Sequence, residues 1–215
     1  EIKNTSFLSD DAMDFSNPRA FYQDFNQEME GSLTLGHPDF DELLRPGSKC
    51  LRPAPENKYG KRHSKYYSKG SLGKGDTTMI IGPSNAGKTT TVISILVANV
   101  LSKKHCLFVT HEQNARDIVD KIFQCFFQMS RQQLMNPTPE ESKEMQIAAP
   151  LLSEYLTYIP WVKSGSMYVE DVVDMIKEKN TYIKSKNNGK GFDLVIDDYP
   201  GKLASRATGK NQADH

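Results

Sequence analysis

Residues 82–89 of the sequence read GPSNAGKT. It fits the pattern GxxxxGK[ST], in which glycines let backbone N–H groups close around phosphates and the following helix adds its positive dipole. The apolar run Thr77–Ile81 before it predicts a buried parallel strand, and the largely apolar run Thr90–Leu101 after it predicts a helix packed on a sheet. This context predicts a Walker A loop that binds ATP with Mg²⁺.

Within this loop, Lys88 is expected to neutralise the β- and γ-phosphates and to act in catalysis, and the Thr89 hydroxyl to ligate Mg²⁺. The alternative interpretation is an ordinary Gly-rich turn between a strand and a helix. The residues expected to hold the nucleotide are those of the loop and of the first helical turn: Gly82, Ser84, Asn85, Ala86, Gly87, Lys88, Thr89 and Thr90.

A second motif, FDLVIDDY at residues 192–199, is typical of a Walker B strand, an apolar run ending in a carboxylate that reaches the Mg²⁺ shell. Side chains alternate between the two faces of a strand, so only one of Asp197 and Asp198 can point at the metal. These residues alone leave both open. The alternative is a strand that ends in a solvated acidic turn.

A third candidate, Glu112, follows the predicted strand Cys106–Val109 in the sequence Thr110-His111-Glu112. A carboxylate at such a strand end can orient and deprotonate an attacking water, so Glu112 is predicted to be the catalytic base. A zinc-protease HExxH motif is excluded because position 115 is Ala. The alternative is a surface carboxylate.

The remaining pattern alternates helices with strands. Helices are predicted from about Ala115, from the capping box at Thr138-Pro139-Glu140-Glu141, and from about Val169. Strands are predicted at Leu156–Val162 and Leu194–Ile196. The alternation predicts an α/β fold, a parallel sheet with helices on both faces.

Charge divides the chain although the whole is neutral, with 27 basic and 27 acidic residues among 215. Residues 1–47 hold ten acidic and three basic side chains, and residues 49–74 hold eight basic and one acidic. We expect residues 1–35 to be an acidic linker or docking segment and residues 36–215 to be the ATPase domain, with a basic loop insert at 48–74. The insert, which also holds tyrosines, suits either a single-strand-binding surface or a solvated loop.

Location is predicted from what the sequence lacks. No apolar run approaches the roughly 20 residues needed to cross a bilayer, so no membrane partner is expected. The three cysteines form no CxxC pair, which favours a reducing cytoplasm over a disulfide framework. The start lacks Met and a signal core, which predicts the inside of a longer chain.

With these elements placed, the chain resembles the RecA-like ATPase domain of hexameric DnaB-type replicative helicases, especially their phage relatives. The resemblance runs from about Gly36 to Ser205 and lies in KGD at residues 74–76, the loop at 82–89 and LFVTHE at 107–112. It implies a RecA-like P-loop NTPase truncated after Walker B, with Glu112 as the base. It also implies that Asp198, before Tyr199, serves the metal, although Asp197 takes a position that is usually apolar.

The function implied by this resemblance is an ATP-hydrolysing motor that translocates on single-stranded DNA as a homo-hexameric ring. Primase or other replisome proteins are the implied partners, and the host cytoplasm is the implied location for a phage-encoded protein. One alternative is a KaiC- or RadA-like ATPase in recombination or signalling. Another is a nucleotide-gated ring assembly module that does not unwind DNA.

Overall fold

The computed structural model describes residues 33–51, 66–73, 75–111, 114–160 and 168–198. The N-terminal part contains helix α1 (Pro38–Leu44) and strands β1 (Lys49–Leu51) and β2 (Tyr66–Ser68). The elements that follow in the chain are α2 (Lys88–Leu101), β3 (Cys106–Thr110), α3 (Ala115–Phe127), α4 (Arg131–Met135), α5 (Pro139–Tyr155), β4 (Leu156–Pro160), α6 (Val169–Lys186) and β5 (Leu194–Asp198).

Three of the strands form a parallel sheet in the order β4-β3-β5. Phe108 in the central strand lies between Tyr158 of β4 and Ile196 of β5. Helices α3, α4 and α5 connect β3 to β4, and α6 connects β4 to β5. The molecule is therefore a mixed α/β protein with a small parallel sheet flanked by helices, and the predicted fold class is confirmed to this extent.

The hydrophobic core lies where α2, α3 and α5 meet one face of the sheet. Cys106 and Phe108 project into it from β3, and both are fully buried. The helical members of this cluster are Ile93, Leu96, Val97, Val100, Ile118, Ile122, Phe126, Ala148 and Leu152. Leu107 and Val109 alternate to the opposite face and are also fully buried, so both faces of β3 are covered.

Local signals in the sequence account for several element boundaries. The Thr138 hydroxyl accepts a hydrogen bond from the Glu141 N–H at 3.2 Å, and the Glu141 carboxylate accepts one from the Thr138 N–H at 2.9 Å. This is the predicted capping box, and α5 begins there with Pro139 in its first turn. The predicted strands near Cys106, Leu156 and Leu194 are confirmed as β3, β4 and β5.

The predicted strand Thr77–Ile81 does not form. The segment is not paired, and its apolar side chains are exposed, at 78% for Met79 and 84% for Ile81. Its length and composition are those of a buried strand, but a strand also needs a partner for its backbone N–H and C=O groups. Within the described ranges, β5 pairs only with β3, and residues 77–81 do not join the outer edge of β5.

The ends of the predicted basic loop are paired with each other. β1 and β2 run antiparallel, with Cys50 opposite Tyr67, and Leu33 forms an isolated bridge with Leu72. Within the predicted loop insert, these positions therefore form a short antiparallel pair of strands. Residues 52–65 and Lys74, which carry most of the basic charge of the insert, lie outside the described residues, as do residues 1–32.

A buried polar network attaches this N-terminal part to α2. The Asp41 carboxylate is fully buried and accepts hydrogen bonds from the Thr34 hydroxyl, the Leu35 N–H at 3.0 Å and the Ser71 hydroxyl. Asn99 in α2 accepts from the Thr34 N–H at 3.1 Å and donates to the Thr34 carbonyl at 2.8 Å. The amide of Asn99 therefore holds the backbone of residue 34 as a neighbouring strand would.

Candidate functional site

The loop at residues 82–89 has the backbone geometry of a turn that opens a helix. Gly87, the N-cap of α2, has φ 83°, a left-handed conformation that glycine adopts without strain. Asn85 also has a positive φ, 62°, and asparagine is among the side chains that tolerate it best. The N-cap of α2 has no side-chain hydrogen bond, and the first turn of the helix holds no acidic residue. The N–H groups of that turn therefore face the loop without a side-chain acceptor.

The Lys88 side chain folds back over this loop. Its Nζ donates to the Gly82 carbonyl at 3.0 Å and to the Pro83 carbonyl at 2.8 Å. These two carbonyls hold the ammonium group above the loop backbone, and the side chain is only partly exposed. A phosphate entering the loop would meet this positive charge together with the N–H groups of the helix start.

The start of α2 lies towards the carboxyl ends of the strands. Only residues 102–105 separate the end of α2 from the start of β3, so the helix runs back antiparallel to the strand. α2 also packs against β3 and β5. Because α2 and the strands differ little in length, about 21 Å against about 17 Å, Lys88 and Thr89 lie at the end of the sheet where β3 and β5 finish. Ligands bind at this carboxyl edge in open α/β sheets.

Two aspartates end β5 and point to opposite faces. Val109 pairs with Asp197, and Thr110 pairs with Asp198. Asp198 shares its face with Leu194 and Ile196, which pack against the core formed by α2. Asp197 lies on the other face, so register places only Asp198 on the side from which α2 approaches.

Asp197 is instead bonded to His111. The imidazole Nε2 lies 2.6 Å from the Asp197 Oδ1, with side-chain exposures of 3% for His111 and 27% for Asp197. Burial raises the pKa of the Asp197 carboxyl above its ordinary value, and the contact with His111 opposes that rise. Sequence reasoning missed this pair, although a histidine one residue past the neighbouring parallel strand was a signal for it.

The other residues predicted for the site fall into two groups. Glu112, the predicted base, lies outside the described residues; its neighbour His111 stands at the carboxyl edge, and the Asn114 side chain caps α3 by accepting from the Arg116 N–H. Ser84, Ala86 and Thr90 belong to the exposed loop and first helical turn.

The described ranges lack a metal-binding cluster and a membrane-spanning helix. They contain no group of three or more His, Cys, Asp or Glu side chains that could hold a metal ion by themselves. None of their helices is both long and apolar enough to cross a membrane.

One comparison with known proteins bears on this site. Residues 75–150 match a protein-family model described as thymidine kinase. The matched segment contains the loop, α2, β3, α3, α4 and most of α5, about a third of the 215 residues. No curated protein matches the chain.

The match corrects the resemblance to DnaB-type helicases. A nucleoside kinase family, rather than a replicative helicase, fits the segment that carries the predicted Walker A loop and Glu112. The predicted motor activity, single-stranded DNA, hexameric ring and replisome partners are therefore wrong, and neither the KaiC- or RadA-like ATPase nor the assembly module is supported. The residues used for the resemblance are those typical of a triphosphate-binding loop, and such a loop binds phosphates whatever group accepts the phosphoryl.

The predicted cofactors are confirmed. Thymidine kinases use ATP as the phosphate donor with Mg²⁺. The match points to an ATP-using enzyme, and to a transferase in place of the predicted hydrolase.

Proposed function

We propose that this chain is an ATP-dependent kinase with a P-loop fold that transfers the γ-phosphoryl group of ATP to a nucleoside, with thymidine the first candidate. The observation that carries the proposal is the family match over residues 75–150. It coincides with a loop that positions Lys88 at the start of α2 and with the carboxyl edge of a parallel sheet.

The donor side of the site is built from the start of α2. The triphosphate is held by backbone N–H groups of the loop and of the first helical turn, those of Gly82, Ser84, Asn85, Ala86, Gly87, Lys88, Thr89 and Thr90. Lys88 leaves the two carbonyls that hold it and pairs with the β- and γ-phosphates, where its charge offsets the charge that develops on transfer. The α2 dipole adds to this attraction.

The residues at the carboxyl edge fit Mg²⁺. A hydroxyl from Thr89 and a carboxylate from Asp198 are oxygen ligands, which Mg²⁺ prefers in few-ligand sites completed by substrate phosphates. Asp198 is on the sheet face against which α2 packs, and Asp197 is on the other. When bound, the ion would offset the negative charge of the phosphate groups during transfer. We therefore assign Thr89 and Asp198 to the metal.

Glu112 is proposed as the base. It follows Thr110 by two positions in the sequence, and Thr110 ends β3 opposite Asp198. Its carboxylate accepts the proton of the nucleoside hydroxyl as that oxygen bonds to the γ-phosphorus. The bond from the γ-phosphorus to the β–γ bridging oxygen breaks, and ADP leaves.

The predicted division into residues 1–35 and a catalytic part at 36–215, with the insert at 48–74, is kept as part of the proposal.

The test is whether ADP formation depends on a nucleoside. Purified protein with MgATP is assayed for ADP alone, with thymidine, and with each of the other nucleosides. The proposal predicts little ADP alone and a large increase with thymidine or one of its relatives. ADP formation that is rapid alone and unchanged by every nucleoside would identify a hydrolase and reject the proposal.

A further inference from the structure

His111 makes two contacts with consecutive residues at the end of β5. Its backbone N–H donates to the Asp198 carbonyl at 2.8 Å, which continues the β3–β5 ladder by one residue. Its side chain contacts the carboxylate of Asp197. One residue therefore holds both the backbone and a side chain of the strand end.

The chemistry of the two side chains determines which of them donates the hydrogen bond. An ionised carboxylate oxygen can only accept, so the imidazole Nε2 carries the proton and donates it to Asp197 Oδ1 at 2.6 Å. The His111 side chain is 3% exposed, and at that burial a hydrogen bond to a charged group is stronger than it is in water. The Asp197 carboxylate is therefore tied to the sheet face that Val109 also occupies.

This attachment matters because β5 lies at the edge of the described sheet. β3 is its sole neighbour among the described residues, so the direction of its last side chains depends on contacts from β3 and from the residue after it. A rotation of the strand end would exchange the faces of two adjacent carboxylates. The two contacts from His111 oppose that rotation.

We propose that His111 is a positioning residue that holds Asp197 on the face away from α2 and so leaves Asp198 as the carboxylate that serves Mg²⁺. The proposal rests on the proposed function only in requiring that Mg²⁺ and a nucleotide bind at this edge. It does not depend on which molecule accepts the phosphoryl group. Asp197, on this account, contributes structure and no metal oxygen.

The experiment measures the Mg²⁺ concentration that gives half-maximal binding of a non-hydrolysable ATP analogue. His111→Phe keeps a ring but removes the donor, and we expect the half-saturating Mg²⁺ concentration to rise about 10-fold, as for other residues that orient a metal ligand. Asp197→Ala removes the same contact from the other side and is predicted to give a similar increase. His111→Gln keeps an N–H donor and is predicted to stay near the parent.

The matched control is His105→Phe. His105 lies at the opposite end of β3, where its ring contacts the Tyr155 ring in a tilted arrangement at a centroid distance of 4.9 Å. We expect no change in the Mg²⁺ requirement from this variant. To separate positioning of Asp198 from a general structural role of His111, the His111→Phe substitution is repeated in an Asp198→Ala background. The proposed metal ligand is absent there, so His111→Phe should no longer change the Mg²⁺ requirement.

A second readout uses the ligand-free protein. Nitrogen NMR of the His111 imidazole is predicted to show the proton on Nε2, and Asp197→Ala should shift that signal. The proposal is overturned if His111→Phe and Asp197→Ala bind Mg²⁺ and nucleotide as the parent does. It is also overturned if Asp197→Ala weakens Mg²⁺ binding more than Asp198→Ala does, or if Nε2 carries no proton. Normal Mg²⁺-dependent binding without transfer to a nucleoside would reject the proposed function alone, and no such binding by the parent would reject both.

Discussion

One side chain, Lys88, folds back over the proposed phosphate loop at residues 82–89. Lys88 Nζ donates to the Gly82 and Pro83 carbonyls, at 3.0 and 2.8 Å. Binding therefore exchanges two neutral acceptors for charged ones, which form stronger bonds with an ammonium group.

Replacing Lys88 by Ala is expected to remove tight ATP binding. A hydrogen bond to a charged group contributes roughly 1.5–3 kcal/mol, so Kd should rise roughly 10- to 150-fold. Equilibrium titration with labelled ATP measures the change. Lys143→Ala, an exposed lysine in α5, is the control and should bind as the parent does. Equal affinities for the parent and Lys88→Ala would remove the phosphate-loop assignment.

A different outcome is expected for Glu112→Gln. The amide still accepts a hydrogen bond from a hydroxyl but cannot take its proton, so MgATP binding should persist while turnover falls about 10²–10⁴-fold. Binding by titration and rate by ADP formation, measured on one preparation, separate the two effects. If turnover is unaffected, the base lies elsewhere in the chain.

Among the elements, α2 connects most of the molecule. Its first turn follows the proposed phosphate loop, its apolar side contributes Ile93, Leu96 and Val100 to the core, and Asn99 holds Thr34 of the N-terminal part. The buried amide of Asn99 also donates to the Ile95 carbonyl at 2.9 Å. The helix therefore positions the site and also holds the N-terminal part.

Asn99→Ala tests this connection. The substitution leaves the Thr34 N–H and carbonyl buried without their partner, and leaving such a group unsatisfied costs about 1–3 kcal/mol. We expect the free energy of unfolding, measured in urea, to fall by about that amount. Asn136→Ala, at an exposed helix end, is the matched control and should change stability much less. A loss no greater than that of the control would show that the network does not attach the segment.

The elements that could be predicted from the sequence are those with local signals. The capping box at Thr138, the apolar run at Cys106 and the helical face at Ile118 and Ile122 each depend on neighbouring residues, and each formed. The run at Thr77–Ile81 has an equally clear local pattern, but pairing is a long-range property that composition does not encode. The His111–Asp197 contact joins residues 86 apart, and the histidine just past a predicted strand does not identify its partner without the register of β3 and β5.

The sequence predicted the nucleotide and the metal, but not the molecule that accepts the phosphoryl group. GxxxxGK[ST] indicates a triphosphate and Mg²⁺ because backbone N–H groups, Lys88 and Thr89 are needed to hold them. What accepts the phosphoryl group depends on other residues, and the same loop serves many reactions. The predicted motor was therefore wrong in its acceptor and partners, although its nucleotide and metal were right.

At the scale of the whole molecule, the described body is organised around β3. Residues 106–110 of this strand are all fully buried, and both neighbouring strands pair along its length. Burial raises the pKa of the Cys106 thiol to about 12 from 9.0. The reactive thiolate is therefore suppressed at this position while the fold is intact.

Cys106 should consequently report unfolding of the whole sheet. At pH 8 we expect iodoacetamide to modify Cys50 first and Cys106 only at the rate of global unfolding, because a central strand opens last. Mass spectrometry of peptides across a urea series measures the two rates. Rapid modification of Cys106 in the native protein would contradict its position in the core. The raised pKa also predicts that stability falls above about pH 9, since the unfolded thiol then loses a proton that the folded one retains.

The proposed transfer of the γ-phosphoryl group of ATP to a nucleoside is tested by following a label in that group. The protein is incubated with Mg²⁺, ATP labelled in the γ-phosphate and thymidine or another nucleoside, and the labelled products are separated. The account predicts label in a nucleoside monophosphate, formed in step with ADP and absent with Lys88→Ala. Label found only in inorganic phosphate, with every nucleoside unmodified, would contradict it.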